Sequence, residues 1–340
     1  MSASEDSIPG RLLDWYDRHA RALPWRSPPG SPAPDPYRVW LSEVMLQQTT
    51  TAAVAPYYAR FLERWPTVDA LAAADDAEVM AAWAGLGYYS RARNLIAAAR
   101  AVAARGGFPD SEGELRALPG VGIYIAAAVA AIAFGRRAVV VDANVERVVS
   151  RLFAISAPLP GVRGEIRRWT DAITPASRAG DFAQAMMDLG ATICTPRDPR
   201  CLLCPISGDC AAREEGEPAR YPVRAAKKAK PLRRGTAFWV ERNGAVWLVR
   251  RPGAGLLGGM RALPDDGWSA RGDGAGERPG DWRDAGVVRH GFTHFELELA
   301  VRASRSAEPV GPGEWWPVSD LEAAGLPTVF AKAAVRALAD

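Results

Sequence analysis

The sequence has few cysteines and no apolar run long enough to span a membrane. Its 340 residues include four cysteines, all between Cys194 and Cys210. The N-terminus is polar and acidic, unlike a secretion signal, so the cysteines are better explained as metal ligands than as a disulfide framework. The most apolar run, Ile123 to Phe134, is too short to cross a bilayer. We therefore expect a soluble, cytoplasmic protein without a membrane partner.

An excess of positive charge is also missing. Lysine and arginine number 42 against 39 for aspartate and glutamate, which gives a net charge of +3. Any nucleic-acid surface must therefore come from local clusters of basic residues. The length and the hydrophobic fraction of 48% favour two packed domains.

The first part of the chain, residues 1–220, predicts an all-α domain. Alanine-, leucine- and arginine-rich stretches, such as Ala52 to Trp65, Asp75 to Trp83 and Ser90 to Arg105, are separated by proline or glycine. Residues 221–235 contain two prolines and few apolar side chains, as is typical of an exposed linker. The basic residues of this linker include Lys227, Lys228, Lys230, Arg233 and Arg234.

Residues 236–340 predict a small α+β domain. Asn243-Gly244 lies between two apolar stretches, Ala237 to Glu241 and Ala245 to Arg250, and is a strong signal for a hairpin with a type I′ turn. The other predicted elements are a strand over Phe295 to Val301, a helix over Val329 to Leu338 and a glycine-rich irregular stretch from Asp265 to Gly286.

The four cysteines have the spacing C-x6-C-x2-C-x5-C over Cys194, Cys201, Cys204 and Cys210. Four thiolates in one short loop suit either zinc or a [4Fe–4S] cluster. A zinc ribbon usually has two Cys-x-x-Cys pairs and this loop has one, so an iron–sulfur cluster is favoured. Unligated buried cysteines are the remaining alternative.

A glycine-rich turn, Leu118-Pro119-Gly120-Val121-Gly122, precedes the apolar helix that begins at Ile123. Its glycines allow a tight turn that places backbone N–H groups near a helix N-terminus, where they can bind a phosphate oxygen. Gly120, Val121 and Gly122 are therefore candidates for contact with a DNA backbone. An ordinary helix–helix turn is the alternative.

Two carboxylates stand out by their surroundings. Glu43 is the only acid in the apolar and aromatic stretch from Tyr37 to Tyr58, where burial would raise its pKa. Asp142 follows the apolar stretch Ala138 to Val141 and precedes a predicted helix, so it suits an N-cap. A protonated and an ionised carboxylate together can cleave a glycosidic bond. For Glu43, the exposed face of an amphipathic helix is the alternative.

Taken together, these features resemble the endonuclease III superfamily of helix-hairpin-helix DNA glycosylases. Three further motifs resemble its adenine DNA glycosylase (MutY) family in particular. They are Leu23-Pro24-Trp25-Arg26, the segment from Trp40 to Thr49, and the segment from Gly85 to Leu95. The resemblance covers nearly the whole first domain, apart from a proline-rich insertion at Ser27 to Pro34.

The resemblance implies roles for individual residues. Glu43 would protonate adenine at N7, and Asp142 would stabilise the sugar cation or trap it covalently, with Asn144 and Tyr124 holding Asp142 and the sugar. Arg21, Trp25, Arg26, Leu46 and Gln184 match positions around the extruded adenine, and Gln48 and Tyr88 match the intercalating wedge. The cysteines would hold a structural [4Fe–4S] cluster.

The residue at position 124 distinguishes two branches of the superfamily. Relatives that also cut the strand have a lysine two residues after the hairpin, which forms a Schiff base with the abasic sugar. This chain has Tyr124 there and no lysine between Met1 and Tyr221. A monofunctional glycosylase is therefore implied.

The second domain resembles the Nudix-like domain of the same family, through Gly255 to Met260 and Trp315 to Val318. A catalytic Nudix helix needs a run of metal-binding glutamates. Gly259 to Gly291 contains no such run, which favours recognition over nucleotide hydrolysis. Phe292-Thr293-His294 matches the family's Phe-Ser-His loop, which reads oxidised guanine. A hairpin turn with a buried histidine is the alternative.

The predicted function is thus the excision of adenine opposite 8-oxoguanine or guanine in base excision repair. The expected partner is double-stranded DNA with that mispair, bound by a monomer in the bacterial nucleoid. The sequence leaves two other functions open. One is an endonuclease III-type pyrimidine glycosylase with lyase activity, and the other is a non-catalytic iron–sulfur module that binds DNA or senses redox state.

Overall fold

The structure is a computed structural model that describes residues 6–226, 229–252, 255–276 and 278–339. Its chain divides into two compact units. The first unit comprises Met1–Ala73 and Ala97–Lys227, and the second comprises Ala74–Ile96 and Lys228–Asp340. Lys227 and Lys228 of the predicted basic linker lie outside the described residues.

The first unit is helical. Its helices are α1 (Ile8–His19), α2 (Pro36–Leu46), α3 (Thr51–Arg64), α4 (Val68–Ala72), α7 (Glu112–Leu115), α8 (Ile123–Phe134), α9 (Ala143–Leu152), α10 (Arg163–Ile173), α11 (Ala179–Thr192) and α12 (Ala211–Glu214). Helix α5 (Asp76–Ala82) belongs to the second unit, and α6 (Ser90–Ala104) begins there and ends in the first. No helix in the described part of the chain is long and apolar enough to cross a membrane.

Helix α8 forms the centre of the first unit. Most of its side chains are alanine, valine or isoleucine, and nearly all residues after its first turn are buried. A helix that is apolar on every side must be covered on every side, and α2, α7 and α11 pack against it. This packing brings α2 and α11 to the same buried helix.

The second unit contains a mixed six-stranded sheet with strand order β3-β2-β1-β5-β4, in which β6 also pairs with β2. The strands are β1 (Leu232–Arg242), β2 (Ala245–Arg250), β3 (Arg261–Ala262), β4 (Arg283–Gly291), β5 (Glu296–Ser304) and β6 (Gly313–Pro317). Strands β1 and β5 are parallel, and the other pairs are antiparallel. Helix α13 (Thr328–Leu338) packs on β1, β4 and β5.

The predicted fold class, an all-α domain followed by a small α+β domain, is confirmed. The predicted hairpin is present as β1 and β2, with Asn243 at φ +50° and Gly244 at φ +72°, as a type I′ turn requires. The predicted helices over Ala52 to Trp65 and Val329 to Leu338 correspond to α3 and α13.

The segment predicted as an exposed linker, 221–235, is structured at both ends. Tyr221 is buried, and Leu159 donates its N–H to the Val223 carbonyl at 2.9 Å while accepting from the Ala225 N–H at 3.2 Å. At the other end, β1 begins at Leu232. Composition did not reveal these bonds because their partners are distant in the sequence.

The segment Ala74–Ile96 lies in the second unit, although the sequence boundary at residue 220 assigned it to the helical domain. Arg93 donates from Nη1 to the Gly258 carbonyl at 2.5 Å. Gly325 packs so closely that a Cβ atom there would lie 3.3 Å from the Ala81 Cα. Long-range packing therefore groups this helical segment with the sheet.

Candidate active site

A cavity of about 660 Å³ lies in the first unit and brings together residues that are far apart in the sequence. Its walls come from α2, α8, α9 and α11 and from the segments that flank α2. The predicted site residues that line it are Arg21, Trp25, Arg26, Glu43, Leu46, Gln48, Tyr124, Asp142, Asn144 and Gln184.

Glu43 lies on α2 and is almost fully buried, with a relative exposure of 6%. Burial raises its pKa from 4.5 to about 7, because the charged carboxylate loses its hydration. A hydrogen bond from Tyr124 and the positive charge of Arg26 lower this pKa, while the negative charge of Asp142 raises it. The result is a carboxyl group that is partly protonated near neutral pH.

Tyr124 lies in the first turn of α8, and its hydroxyl donates to Glu43 Oε2 at 2.6 Å. The resemblance implied that Tyr124 holds Asp142 and the sugar, whereas in the structure its hydroxyl bonds to Glu43, because α2 packs against α8. Burial first, and then the negative charges of Glu43 and Asp142, raise the Tyr124 pKa well above its usual value. The hydroxyl therefore stays a donor.

Asp142 is the N-cap of α9, as the sequence predicted. Its Oδ1 accepts from the Val145 N–H at 2.7 Å, and its Oδ2 accepts from Asn144 Nδ2 at 2.8 Å. Burial raises the pKa of Asp142, while the bonds from Val145 and Asn144 lower it. The sequence predicted an ionised group here; burial opposes that charge, and the hydrogen bonds support it.

Asn144 is itself held by the packing of α9 on α11. Its Oδ1 accepts from Arg147 Nη2 at 2.8 Å, and Arg147 also donates from Nε to the Cys194 carbonyl at 2.7 Å. Gly190 on α11 permits this approach, since a Cβ atom there would lie 2.6 Å from Asn144 Cβ. Hydrogen bonds thus connect Asp142 to the start of the cysteine loop.

Asp188 is a site residue that was not predicted from the sequence. It is completely buried on α11, and its Oδ1 lies 2.6 Å from both Arg21 Nε and Arg26 Nη1. The ion pairs fix the two arginines at the cavity wall. An acid within the apolar segment that begins at Phe182 is the same signal that pointed to Glu43.

The predicted backbone-binding hairpin connects α7 and α8. Gly120 needs its glycine, because its φ of +71° lies in the left-handed region. Gly122 has an ordinary φ of −84°, and a Cβ atom there would meet nothing within 4 Å. Gly122 caps α8 without a side-chain hydrogen bond, so open space lies beside the helix N-terminus.

All four cysteines line a second cavity, together with Arg151 and Arg213. Burial raises the pKa of the Cys204 thiol to about 12, and the other three cysteines add to the shift. Within the described residues, no group of three or more His, Cys, Asp or Glu side chains is placed to hold a single metal ion. The four cysteines therefore share one cavity.

The predicted lesion-reading residues connect β4 and β5 in the second unit. Thr293 and His294 are exposed, which does not fit a buried histidine, while Phe292 stacks on Phe295 with ring centroids 4.6 Å apart. Thr293 Oγ1 donates to the Tyr88 hydroxyl at 3.3 Å. One predicted wedge residue therefore contacts the predicted reader of the opposite base.

Both predicted wedge residues have an unusual backbone. Tyr88 has φ +48° and a relative exposure of 44%, and Gln48, in the first unit, has φ +58°. A non-glycine residue in the left-handed region carries strain, which is often found at functional sites. Their conformations suit side chains that are presented to a ligand.

Comparison with known proteins agrees with this geometry. Residues 41–168 match the model of the HhH-GPD superfamily of base excision DNA repair proteins, and residues 236–335 match the NUDIX domain. The chain is 35% identical over 382 residues to the adenine DNA glycosylase of Homo sapiens, covering 90% of this chain and 69% of that protein. It belongs to the adenine DNA glycosylase family.

Other members of the adenine DNA glycosylase family match smaller parts. The enzyme of Mycolicibacterium smegmatis is 41% identical over 65% of this chain and 74% of its own length. The enzyme of Arabidopsis thaliana is 41% identical over 74% of this chain, which spans only 46% of that protein. Membership in this family, together with the HhH-GPD match, makes the chain a DNA glycosylase of base excision repair.

Solved structures of DNA glycosylases resemble the chain over 61% of its length. A thermostable thymine-DNA glycosylase superposes with a TM-score of 0.55 at 29% identity, over 95% of that chain. A non-covalent complex of endonuclease III with DNA superposes with a TM-score of 0.51 at 25% identity, over 94% of that chain. The helical fold is therefore shared with these two proteins, one of which was solved in complex with DNA.

Proposed function

We propose that the protein is a monofunctional glycosylase that removes adenine opposite 8-oxoguanine or guanine in double-stranded DNA. The observation that carries this proposal is the pair of Glu43 and Asp142 in one cavity, with the pKa of Glu43 raised to about 7. An acid with a pKa near the working pH is well suited to proton transfer.

Glu43 is the general acid in this proposal. Tyr124 donates to Oε2, so a proton carried by Glu43 resides on Oε1. From there it passes to N7 of adenine, which lets the base leave as a neutral molecule. Gln184 provides both a donor and an acceptor in the same cavity and suits the N7 and N6 edge of adenine.

Asp142 supports the positive charge that develops on the sugar. Its carboxylate is fixed by hydrogen bonds from Val145 and Asn144, so little reorganisation is needed when the sugar becomes cationic. Alternatively, a carboxylate oxygen of Asp142 can form a covalent bond to the sugar as the bond to adenine breaks. Trp25, Arg26 and Leu46 would enclose the base during this step.

The position next to the hairpin supports a monofunctional enzyme. Tyr124 lies where strand-cutting relatives have a lysine, and its hydroxyl is engaged with Glu43. A phenol does not form a Schiff base with an abasic sugar, and the first 221 residues contain no lysine amine. The abasic product would therefore be released with its strand intact.

The proposed DNA contacts lie in both units. In the first unit, the N–H groups after Gly122 would bind a phosphate, since the space beside this glycine is open. In the second unit, Tyr88 would enter the stack beside the oxidised guanine while Phe292, Thr293 and His294 read it. The contact from Thr293 to Tyr88 supports a joint action of the wedge and the reading loop.

The cysteine loop suits a [4Fe–4S] cluster. Zinc would also take four thiolates, but a zinc ribbon usually has two Cys-x-x-Cys pairs and this loop has one. In a cluster each iron would take one thiolate, and Cys194, Cys201, Cys204 and Cys210 all line one cavity. The cluster would order the loop, and Arg147 would link that loop to Asn144.

The preference for 8-oxoguanine over guanine tests the proposed role of Thr293 in the second unit. Replacing Thr293 by alanine removes the hydroxyl that contacts Tyr88, so we expect the preference for adenine opposite 8-oxoguanine over adenine opposite guanine to fall several-fold. Thr293→Ser keeps the hydroxyl and serves as the matched control. Single-turnover rates on the two duplexes measure the preference, and an unchanged ratio in Thr293→Ala would refute the role of this residue.

Removal of the Tyr124 hydroxyl tests the assignment of Glu43 as the general acid. Its bond to Glu43 lowers the Glu43 pKa, so Tyr124→Phe should raise that pKa further. Base removal needs protonated Glu43, so the alkaline fall in rate should begin near pH 7 in the wild type and move to higher pH in the variant. A profile of single-turnover rate against pH measures this, and a shift to lower pH would contradict the assignment.

A further inference from the structure

Arg151 lies on α9 and has a relative exposure of 1%. Its Nη1 donates to the Thr195 carbonyl at 2.7 Å and to both the carbonyl and the Sγ of Cys194 at 3.2 Å. Its Nη2 donates to the Pro196 carbonyl and its Nε to the Tyr221 carbonyl, each at 3.0 Å. Both terminal nitrogens of the guanidinium therefore bind the start of the cysteine loop.

A buried guanidinium usually has a carboxylate partner, because an isolated charge in a protein interior is costly. Among the described residues, no aspartate or glutamate forms an ion pair with Arg151. The ionisable groups beside it are the cysteine thiols, which line the same cavity. A cofactor bound as four thiolates would supply the missing negative charge.

We propose that Arg151 balances the charge of an iron–sulfur cluster held by the four cysteines and raises its reduction potential through the N–H···S contact with Cys194. This inference rests on the proposed cofactor. Positive charge and hydrogen bonds to the sulfurs stabilise the more negative, reduced state of a cluster. Loss of Arg151 therefore favours the oxidised state and weakens retention of the cluster.

Arg213 provides a matched control for this effect. It lines the same cavity, but it is exposed and donates to the Ser207 carbonyl. Water screens its charge, so its removal should leave the potential almost unchanged. Arg151→Lys separates charge from geometry, because lysine keeps the cation and loses the planar set of donors.

The experiment is a redox titration of the full-length protein, with cluster content measured as iron and sulfide per chain and from visible absorption. At a fixed applied potential, the ratio of oxidised to reduced cluster should rise about tenfold in Arg151→Gln, which is about 59 mV for one electron. Arg151→Lys should show a smaller rise, and Arg213→Gln should stay within twofold of the wild type.

The potential is measured on loaded molecules, so partial loss of the cluster does not obscure it. A loaded Arg151→Gln protein with a wild-type potential would overturn the proposal. If Arg151→Gln loses the cluster entirely, retention in Arg151→Lys supports charge balance, and equal loss in both variants contradicts it. Wild-type protein that lacks iron would instead refute the proposed cofactor itself.

Discussion

Glu43→Gln is expected to lose base removal by about 10³-fold or more while it still binds DNA. Proton transfer by a positioned acid is typically worth about 10²–10⁴-fold, and glutamine carries no transferable proton. The amide oxygen can still accept from Tyr124, so the wall of the cavity stays in place. Single-turnover excision and equilibrium binding to an adenine-containing duplex measure the two effects separately.

Glu63→Gln is the matched control, since Glu63 is an exposed acid on α3 in the same unit. Its rate should equal that of the wild type. Retention of the Glu43→Gln rate within tenfold of the wild type would show that another group delivers the proton.

Glu43→Gln should also change how the free energy of unfolding depends on pH. The folded pKa of Glu43 is raised from 4.5 to about 7, so its contribution to stability is complete below pH 4.5 and is lost as pH rises through 7. Glutamine has no such titration. Relative to the wild type, Glu43→Gln should therefore gain up to about 3 kcal/mol between pH 4.5 and pH 8, measured by denaturant unfolding.

Asp142→Asn is expected to reduce base removal by about 10²–10³-fold, the range found when a preorganised electrostatic group is removed. Asparagine is as good an N-cap as aspartate, so its side-chain oxygen can still accept from the Val145 N–H and keep α9 intact. The substitution therefore removes the charge and the bond from Asn144, and it leaves the cap. Single-turnover rates and thermal unfolding of the same preparation measure both properties.

Asp75→Asn is the control for capping. Asp75 caps α5 by accepting from Ala77 and Glu78, and its replacement should leave the rate unchanged. An Asp142→Asn enzyme that keeps its rate within threefold would reduce Asp142 to a structural cap.

The sequence revealed those site residues whose chemistry conflicts with their neighbours. Glu43 stood out as an acid in an apolar helix, and its buried position follows from the packing of α2 on α8. Asp142 was predictable as an N-cap from the neighbouring residues in the sequence alone. Asp188 carried the same signal as Glu43, but its role depends on Arg21 and Arg26, more than 160 residues earlier.

The features that sequence reasoning missed depend on contacts between distant segments. Nothing near Tyr124 indicates that its hydroxyl pairs with Glu43, and nothing near Tyr88 indicates Thr293. The grouping of Ala74–Ile96 with the sheet has the same origin. Local periodicity predicts where helices and strands form, whereas the partners of a buried polar group follow only from the packed fold.

Excision is tested with purified protein on a duplex that contains adenine opposite 8-oxoguanine, with products resolved before and after alkali. We expect release of adenine and strand breaks that appear only after alkali. Breaks without alkali would contradict the monofunctional assignment that rests on Tyr124. Intact DNA under both conditions, despite tight binding, would contradict the catalytic assignment of Glu43 and Asp142.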